Sequence, residues 1–238
     1  AEIILNHLLP QRIPQDARYE LAVHYQSAYR LGGDYYDFVE LDERHLGIIM
    51  ADVSGKGIPA GLVMATTRSL FAALSTGQLT PSAVLRALNA HLLKLIPDEM
   101  FVSATYAILD KQTGLLTYAR AGHEPLLQCS VRGEPHLVGQ ACGMVVGMVP
   151  DELFSQSLCD EQCQLKSGDT VLFYTDGLTE AHSEQGEEFG RQRVAAMLQH
   201  VCGLSADEAV RSLVHRVQKF TGNAPLYDDM TILAIKAR

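Results

Sequence analysis

The chain has 238 residues, 47% hydrophobic and 20% charged, a balance that fits a globular fold of one large or two small domains. Its formal net charge is −9, from 28 acidic against 19 basic residues. That excludes a broad basic face of the kind a nucleic-acid partner needs. No apolar run approaches the length needed to cross a bilayer and no basic-then-apolar leader opens the chain, so a cytoplasmic protein without a membrane partner is expected.

Residues 1–9 place Ile3, Ile4, Leu5, Leu8 and Leu9 at amphipathic spacing, and Pro10 ends the segment, so a helix is expected there. Alternation then predicts strands over 19–25 and 35–41, and the nearly continuous apolar run LGIIMADV (46–53) predicts a strand buried on both faces. Val63, Thr67, Leu70 and Leu74 predict a helix over 58–75. Thr80-Pro81 reads as an N-cap with proline at the first helical position, opening a helix over 81–96.

The middle of the chain reads as strands over 101–109, 115–121, 126–130, 154–165 and 170–176, separated by Gly-containing turns. The Gly-rich segment 139–150 is expected to be an irregular loop. Val194, Met197, Leu198 and Val201 predict a helix, and the capping box Ser205 to Glu208 opens another; 230–235 is a last buried strand. Cys129, Cys142, Cys159, Cys163 and Cys202 are odd in number and scattered, which suits reduced structural thiols. Cys159 and Cys163 would share one face of a strand, without a second pair to complete a zinc site. Paired helices alternating with runs of strands point to an α+β layered domain and not to a wound βαβ sheet.

The aspartates fall where chemistry can be built. Asp52 ends the run LGIIMAD, Asp176 ends TVLFYTD, Asp228 and Asp229 precede MTILAI, and Asp34 and Asp37 flank the start of a strand. A carboxylate at the edge of an apolar core is costly unless compensated, and several together repel one another. A divalent cation resolves both, and oxygen ligands alone suit Mg²⁺ or Mn²⁺. Taken singly, any one of these aspartates is more often a turn or a cap, and spacing alone does not bring the segments together.

GGDYYD (32–37), ADVSGKG (51–57), AGHEPL (121–126), TDGLTEA (175–181) and DDMT (228–231) occur in that order. Together with the lead-in LLPQRIP (8–14), they resemble the SpoIIE-type branch of the PPM metal-dependent protein phosphatases, the branch that includes RsbU-like enzymes. The resemblance implies a four-layer αββα sandwich, two antiparallel sheets flanked by paired helices. It implies a phosphatase domain over 15–238, preceded over 1–14 by a linker helix from an upstream sensor or receiver domain.

It further implies two Mn²⁺ or Mg²⁺ ions that activate water for direct attack on a phosphoserine or phosphothreonine. Asp52 would bridge the ions, the Val53 carbonyl and Asp34 would serve the first, and Asp176 and Asp228 would hold the second. Asp52, Asp176 and Asp228 are thus the expected catalytic residues. Asp229 stands where related enzymes often have asparagine, and no histidine follows Asp52; Asp37, Gly55, Lys56 and His123 are nearby candidates without an assigned role. The branch implies a phosphorylated STAS-type anti-anti-sigma protein as substrate, and helices 58–74 and 81–95 as a movable regulatory element. A homodimer through the N-terminal helix is left open. A two-metal enzyme for small phosphoesters and a non-catalytic module with the same fold remain rivals.

Overall fold

The computed structural model describes residues 8–29, 31–130, 133–139, 141 and 143–238. The expected N-terminal helix falls mostly on residues 1–7 and Cys142 is also outside the described residues. In chain order the strands are β1 (Tyr19–Gln26), β2 (Tyr35–Glu40), β3 (His45–Val53), β4 (Val102–Asp110) and β5 (Leu115–Ala121). They continue with β6 (Leu126–Cys129), β7 (His136–Val138), β8 (Glu161–Gln164), β9 (Thr170–Tyr174) and β10 (Met230–Ala237). The helices are α1 (Ile58–Ser75), α2 (Pro81–Leu92), α3 (Asp151–Ser157), α4 (Asp176–Thr179), α5 (Gly190–Val201) and α6 (Ala206–Thr221).

The described residues form two compact units, each built on one antiparallel sheet. The first, Arg30–His123 with Gly139–Gln164, carries the strand order β2-β3-β4-β5-β8. Its central strands β3 and β4 are apolar almost throughout because they are covered, with Ile48, Ile49, Met50, Tyr106 and Ala107 fully buried. Helix α1 packs on β2 and β3, and α2 on β4 and β5. Phe71 of α1 meets Tyr35 and Tyr106 edge-on, at ring separations of 6.4 and 5.0 Å.

The second unit, Ile13–Tyr29 with Glu124–Val138 and Leu165–Arg238, carries the order β1-β10-β9-β6-β7. Strand β10 is buried along its whole length between β1 and β9. Helix α6 packs on β1 and β10, and α5 beside it on β6. The predicted capping box is complete: the Ser205 side chain accepts from the Glu208 N–H, and the Glu208 carboxylate accepts from the Ser205 N–H.

Several expectations need correction. The predicted strand 154–165 is a helix, α3, followed by the short strand β8. Phe154 and Leu158 are both buried, and a spacing of four satisfies a helical as well as a strand period. Pro150 followed by Asp151 and Glu152 is the helix-start signal that decides it, and the Asn89 amide donates to Asp151 at 2.7 Å. Cys159 therefore precedes β8 and does not share a strand face with Cys163.

Helix α2 stops at Leu92, not at Ile96, and unwinds through turns toward Pro97, which disfavours helical backbone at the residue before it. Thr80 sits at its N-cap in extended conformation, yet its side chain makes no capping bond. The predicted strand 170–176 ends at Tyr174, and Asp176 opens a one-turn helix. Among the described residues α1 is long and apolar enough, at a mean hydropathy of 1.2, to meet the length and composition of a membrane span. The sequence expectation overlooked it. Its inner face lies on β2 and β3, and its Arg68 pairs with Asp37 at 3.9 Å.

Candidate functional site

In the first unit the pairing of β2 with β3 sets Tyr35 opposite Ala51. One further step along that register sets Asp34 opposite Asp52, and beyond it the Val53 N–H donates to the Gly33 carbonyl at 3.3 Å. A Cβ at Gly33 would stand 2.8 Å from the Val53 carbonyl oxygen, so the close approach of the two strand ends needs glycine. Asp34, Asp52 and the Val53 carbonyl therefore share one end of this sheet. Asp34 is buried and Asp52 half-buried.

The loop after Val53 is held at Ser54, whose N–H donates to the Phe101 carbonyl at 2.9 Å and whose hydroxyl accepts from the Phe101 N–H at 2.8 Å. Gly55 and Gly57 then take positive φ, 89° and 72°, to turn the chain into α1. Gly55 and Lys56 are exposed.

Asp37 has a structural task. It accepts from the Tyr35 hydroxyl and from the Phe38 N–H, both at 2.8 Å, and faces Arg68 of α1. Burial nevertheless lifts its carboxyl above the usual range. His123 is also structural. Ser103, which pairs with Asp52 across β3 and β4, contacts the His123 Nδ1 at 2.8 Å, and Arg120 donates to the His123 carbonyl. Burial, with the Arg120 charge beside it, pushes the imidazole down to about 3. A ring kept neutral in this way braces the turn and is no reservoir of protons at neutral pH.

In the second unit β9 is buried to its last residue, Thr175 is still buried, and Asp176 is the first half-buried position after it. The Thr175 N–H donates to the Thr231 carbonyl at 3.1 Å, and the Thr231 N–H returns a bond to the Thr175 hydroxyl at 3.0 Å. The Asp176 strand end is thereby tied to the start of β10. Gly177 is decisive here, since a Cβ would fall 1.9 Å from the Asp229 carbonyl oxygen. With no side chain there, the Asp176 turn seats directly on the Asp228-Asp229 backbone.

Asp228 adds its charge to the surroundings of Asp176 and accepts from the Asp229 N–H at 2.9 Å, whereas Asp229 turns inward. Asp229 is buried and its Oδ1 accepts from the Ser27 hydroxyl at 3.0 Å and from the Ala28 N–H at 2.8 Å. It fastens the end of β1. Burial, and then the charges of Glu180, Asp228 and Glu124, push the Asp176 carboxyl up to about 6. Glu180 is raised by burial and by Glu188, Asp228 and Glu124.

Glu180 and Glu124 were not singled out from the sequence. Glu180 lies four residues after Asp176, one helical turn, a legible spacing. Glu124 stands beside His123, and its partner Arg191 holds it through two bonds of 2.8 and 2.7 Å. No local pattern connects residues 124 and 191.

Among the described residues no group of three or more His, Cys, Asp or Glu side chains is arranged to hold a metal ion by itself. The donor chemistry nonetheless fits a hard divalent cation. Every predicted ligand is a carboxylate or a carbonyl, and Asp176 carries like-charge crowding that a cation relieves.

The family described as Stage II sporulation protein E (SpoIIE) matches residues 42–238. Phosphoserine phosphatase RsbU of Bacillus subtilis (strain 168) is 31% identical over 231 residues, covering 97% of this chain and 67% of that protein. The chain belongs to the SpoIIE family. It is accordingly a PP2C-type protein serine/threonine phosphatase by family, as the motif resemblance implied.

Solved structures agree on the SpoIIE-family fold. The SiaA PP2C domain of Pseudomonas aeruginosa matches at a TM-score of 0.85 and 22% identity, covering 100% of this chain and 94% of that one. RsbX, solved in complex with magnesium, matches at 0.70 and 14% identity over 95% of this chain and 99% of its own. The α+β fold of two antiparallel sheets with helices is therefore that of the PP2C domains. The chain spans two thirds of RsbU, and only 40% and 38% of two other curated relatives.

Proposed function

We propose that this SpoIIE-family chain hydrolyses phosphoserine and phosphothreonine on a phosphorylated STAS-type protein, using two Mn²⁺ or Mg²⁺ ions, in a cytoplasmic signalling partner switch. An upstream sensor or receiver domain would control it through the segment 1–14, whose residues 9–14 are not helical. In this reading Asp34, Asp52 and the Val53 carbonyl would hold one ion and Asp176 and Asp228 the other, Asp52 serving both. Two such ions, when bound, would neutralise phosphoryl oxygens and lower the pKa of water, so that no Ser, Cys or His nucleophile would be required.

The chain's own residues supply position. Gly33 and Gly177 let the ligand-bearing backbones approach. Asp229 and Asp37 hold the flanking strands and are not ligands in this proposal. His123 stays neutral behind Ser103.

The observation that carries the reading is Asp176, a carboxylate pushed up to about 6 among Asp228, Glu180 and Glu124 at the mouth of an apolar strand. Charge of one sign gathered at that cost suits a cation site. The test is phosphate release from a serine-phosphorylated STAS protein, with and without Mn²⁺, and from nucleotides as controls. Turnover should require the metal, favour the phosphoprotein and fall at least about a hundredfold in both Asp52→Asn and Asp176→Asn. Equal turnover in chelator, or preference for nucleotides, would remove the proposal.

A further inference from the structure

Helices α5 and α6 carry more than a core-facing stripe. Val194, Leu198 and Val201 of α5 and Val210, Leu213, Val214 and Val217 of α6 point inward and are buried. A second stripe runs beside each. On α5 it is Arg193, Met197, His200 and Leu204 just past the helix end, at i, i+4, i+7 and i+11. On α6 it is Ser212, Arg216 and Lys219, at i, i+4 and i+7. These outer stripes face each other across the seam between the two helices.

Two cavities of about 490 and 380 Å³ open along that seam, and Met197, His200 and Arg216 line both. Their apolar surface comes from Met197, Val201, Leu204 and Phe220. Their charge comes from Arg193, Arg211, Arg216 and Lys219, and no carboxylate lines either cavity. In a chain with net charge −9 this is a local reversal of sign. Arg193 is pinned by carbonyls of 188 and 189, by Glu187 and over the Phe220 ring at 4.8 Å, and Arg211 pairs with Asp207. Arg216 and Lys219 take no ion pair among the described residues.

We propose that this groove docks an acidic amphipathic helix of a partner protein, apolar along one stripe and carboxylate-rich on its flanks. Charge complementarity selects the occupant. The Arg216 and Lys219 cations on the α6 wall favour Asp and Glu, while the thioether and ring of Met197 and Phe220 accept apolar anchors. The two cavities along the seam favour an inserted helix over a flat membrane. Helix α5 is about 18 Å long at 1.5 Å per residue, room for roughly three turns of a partner helix.

The test uses a labelled peptide of about four helical turns, Leu at i, i+4, i+7 and i+11 and Glu on the flanks, with a version carrying Lys for Glu as control. Fluorescence anisotropy should show saturable binding of the Glu peptide below about 100 μM and none of the Lys peptide. The double substitution R216E/K219E should weaken binding by about tenfold or more. Hydrogen exchange should slow across 190–219 when the Glu peptide is added. Metal-dependent hydrolysis of p-nitrophenyl phosphate and the thermal midpoint should be unchanged in R216E/K219E, which separates lost docking from a lost fold or a lost active site. The proposal is overturned by equal binding of the Lys peptide, by unaltered binding to R216E/K219E, or by no saturable binding. It is overturned as well by capture on anionic vesicles without peptide binding, or by a self-dimer that R216E/K219E disperses.

Discussion

Asp176 and Asp229 show how neighbouring carboxylates in one fold take opposite tasks. Asp229 accepts hydrogen bonds from Ser27 and Ala28, so its charge is compensated from within the chain. Asp176 stands among Asp228, Glu180 and Glu124 with its carboxyl pushed up to about 6. Crowding of this kind costs folding stability whenever the group is ionised, up to about 1.4 kcal/mol for each tenfold loss of acidity before solvent screening. Asp176→Asn removes one charge and keeps the shape. In chelator at pH 7.5 the variant should be more stable than the parent by about 1 kcal/mol, read from urea unfolding, although its turnover is lost. Added Mn²⁺ should stabilise the parent, by about 2.7 kcal/mol at a hundredfold excess over the dissociation constant, and the variant much less. A variant less stable than the parent in chelator would contradict the crowding argument.

At the scale of elements, what could be read from sequence depended on whether the signal was local. The ends of α1, the capping box of α6 and the apolar runs of β3 and β9 are set by residues adjacent in the chain, and they appear where expected. Strand β7 was missed because His136–Val138 is short, carries no apolar alternation and is defined only by pairing with β6. Helix α3 was misread because Phe154 and Leu158 fit either period. The placing of Asp34, Asp52, Asp176 and Asp228 at or beside strand ends was legible, since each ends or precedes an apolar run. Glu124 and Arg191 were not, because 67 residues separate the pair. The part played by Gly177 was also hidden. TDG reads as an ordinary turn, yet the absent Cβ is what allows α4 to sit on the Asp228-Asp229 backbone. Gly177→Ala must push those segments apart, because the intruding atom would meet backbone and not a flexible side chain. A loss of about 2 kcal/mol or more is expected in urea unfolding, with turnover reduced well beyond what stability explains. A Gly177→Ala protein with unchanged stability and turnover would show that the contact is dispensable.

For the molecule as a whole, pH alters stability through a few buried groups whose windows differ. His123 is held at about 3 in the folded chain, against about 6.5 for an unfolded histidine. Its folded value is depressed, so the unfolded state takes up the proton first as pH falls. The stability associated with the neutral ring is complete above about 6.5 and is lost progressively from there toward 3. Asp110 is also depressed, chiefly by Arg44, but as a carboxylate it acts only below its ordinary range of about 4. Asp176 works the other way in metal-free protein: its value is raised, so its cost is present above about 6 and is relieved as pH falls toward 4. The carboxyl and imidazole contributions differ in sign near neutrality. His24, whose imidazole is also depressed by burial, removes stability in the same direction as His123, so substitution and not the pH window separates the two rings. Between about 6.5 and 6 the unfolded histidine is about half to three-quarters protonated, so the slope due to the His123 ring is about 0.7–1.0 kcal/mol per pH unit. His123→Gln should be less stable at pH 7.5, since packing around the ring and its contact with Ser103 are lost. Its acid limb should be flatter than the parent's, and the two stability curves should converge on acidification. Parallel curves from pH 7.5 to 4.5 would mean that the imidazole does not stay neutral in the fold, and that burial beside Arg120 is too weak to exclude the proton.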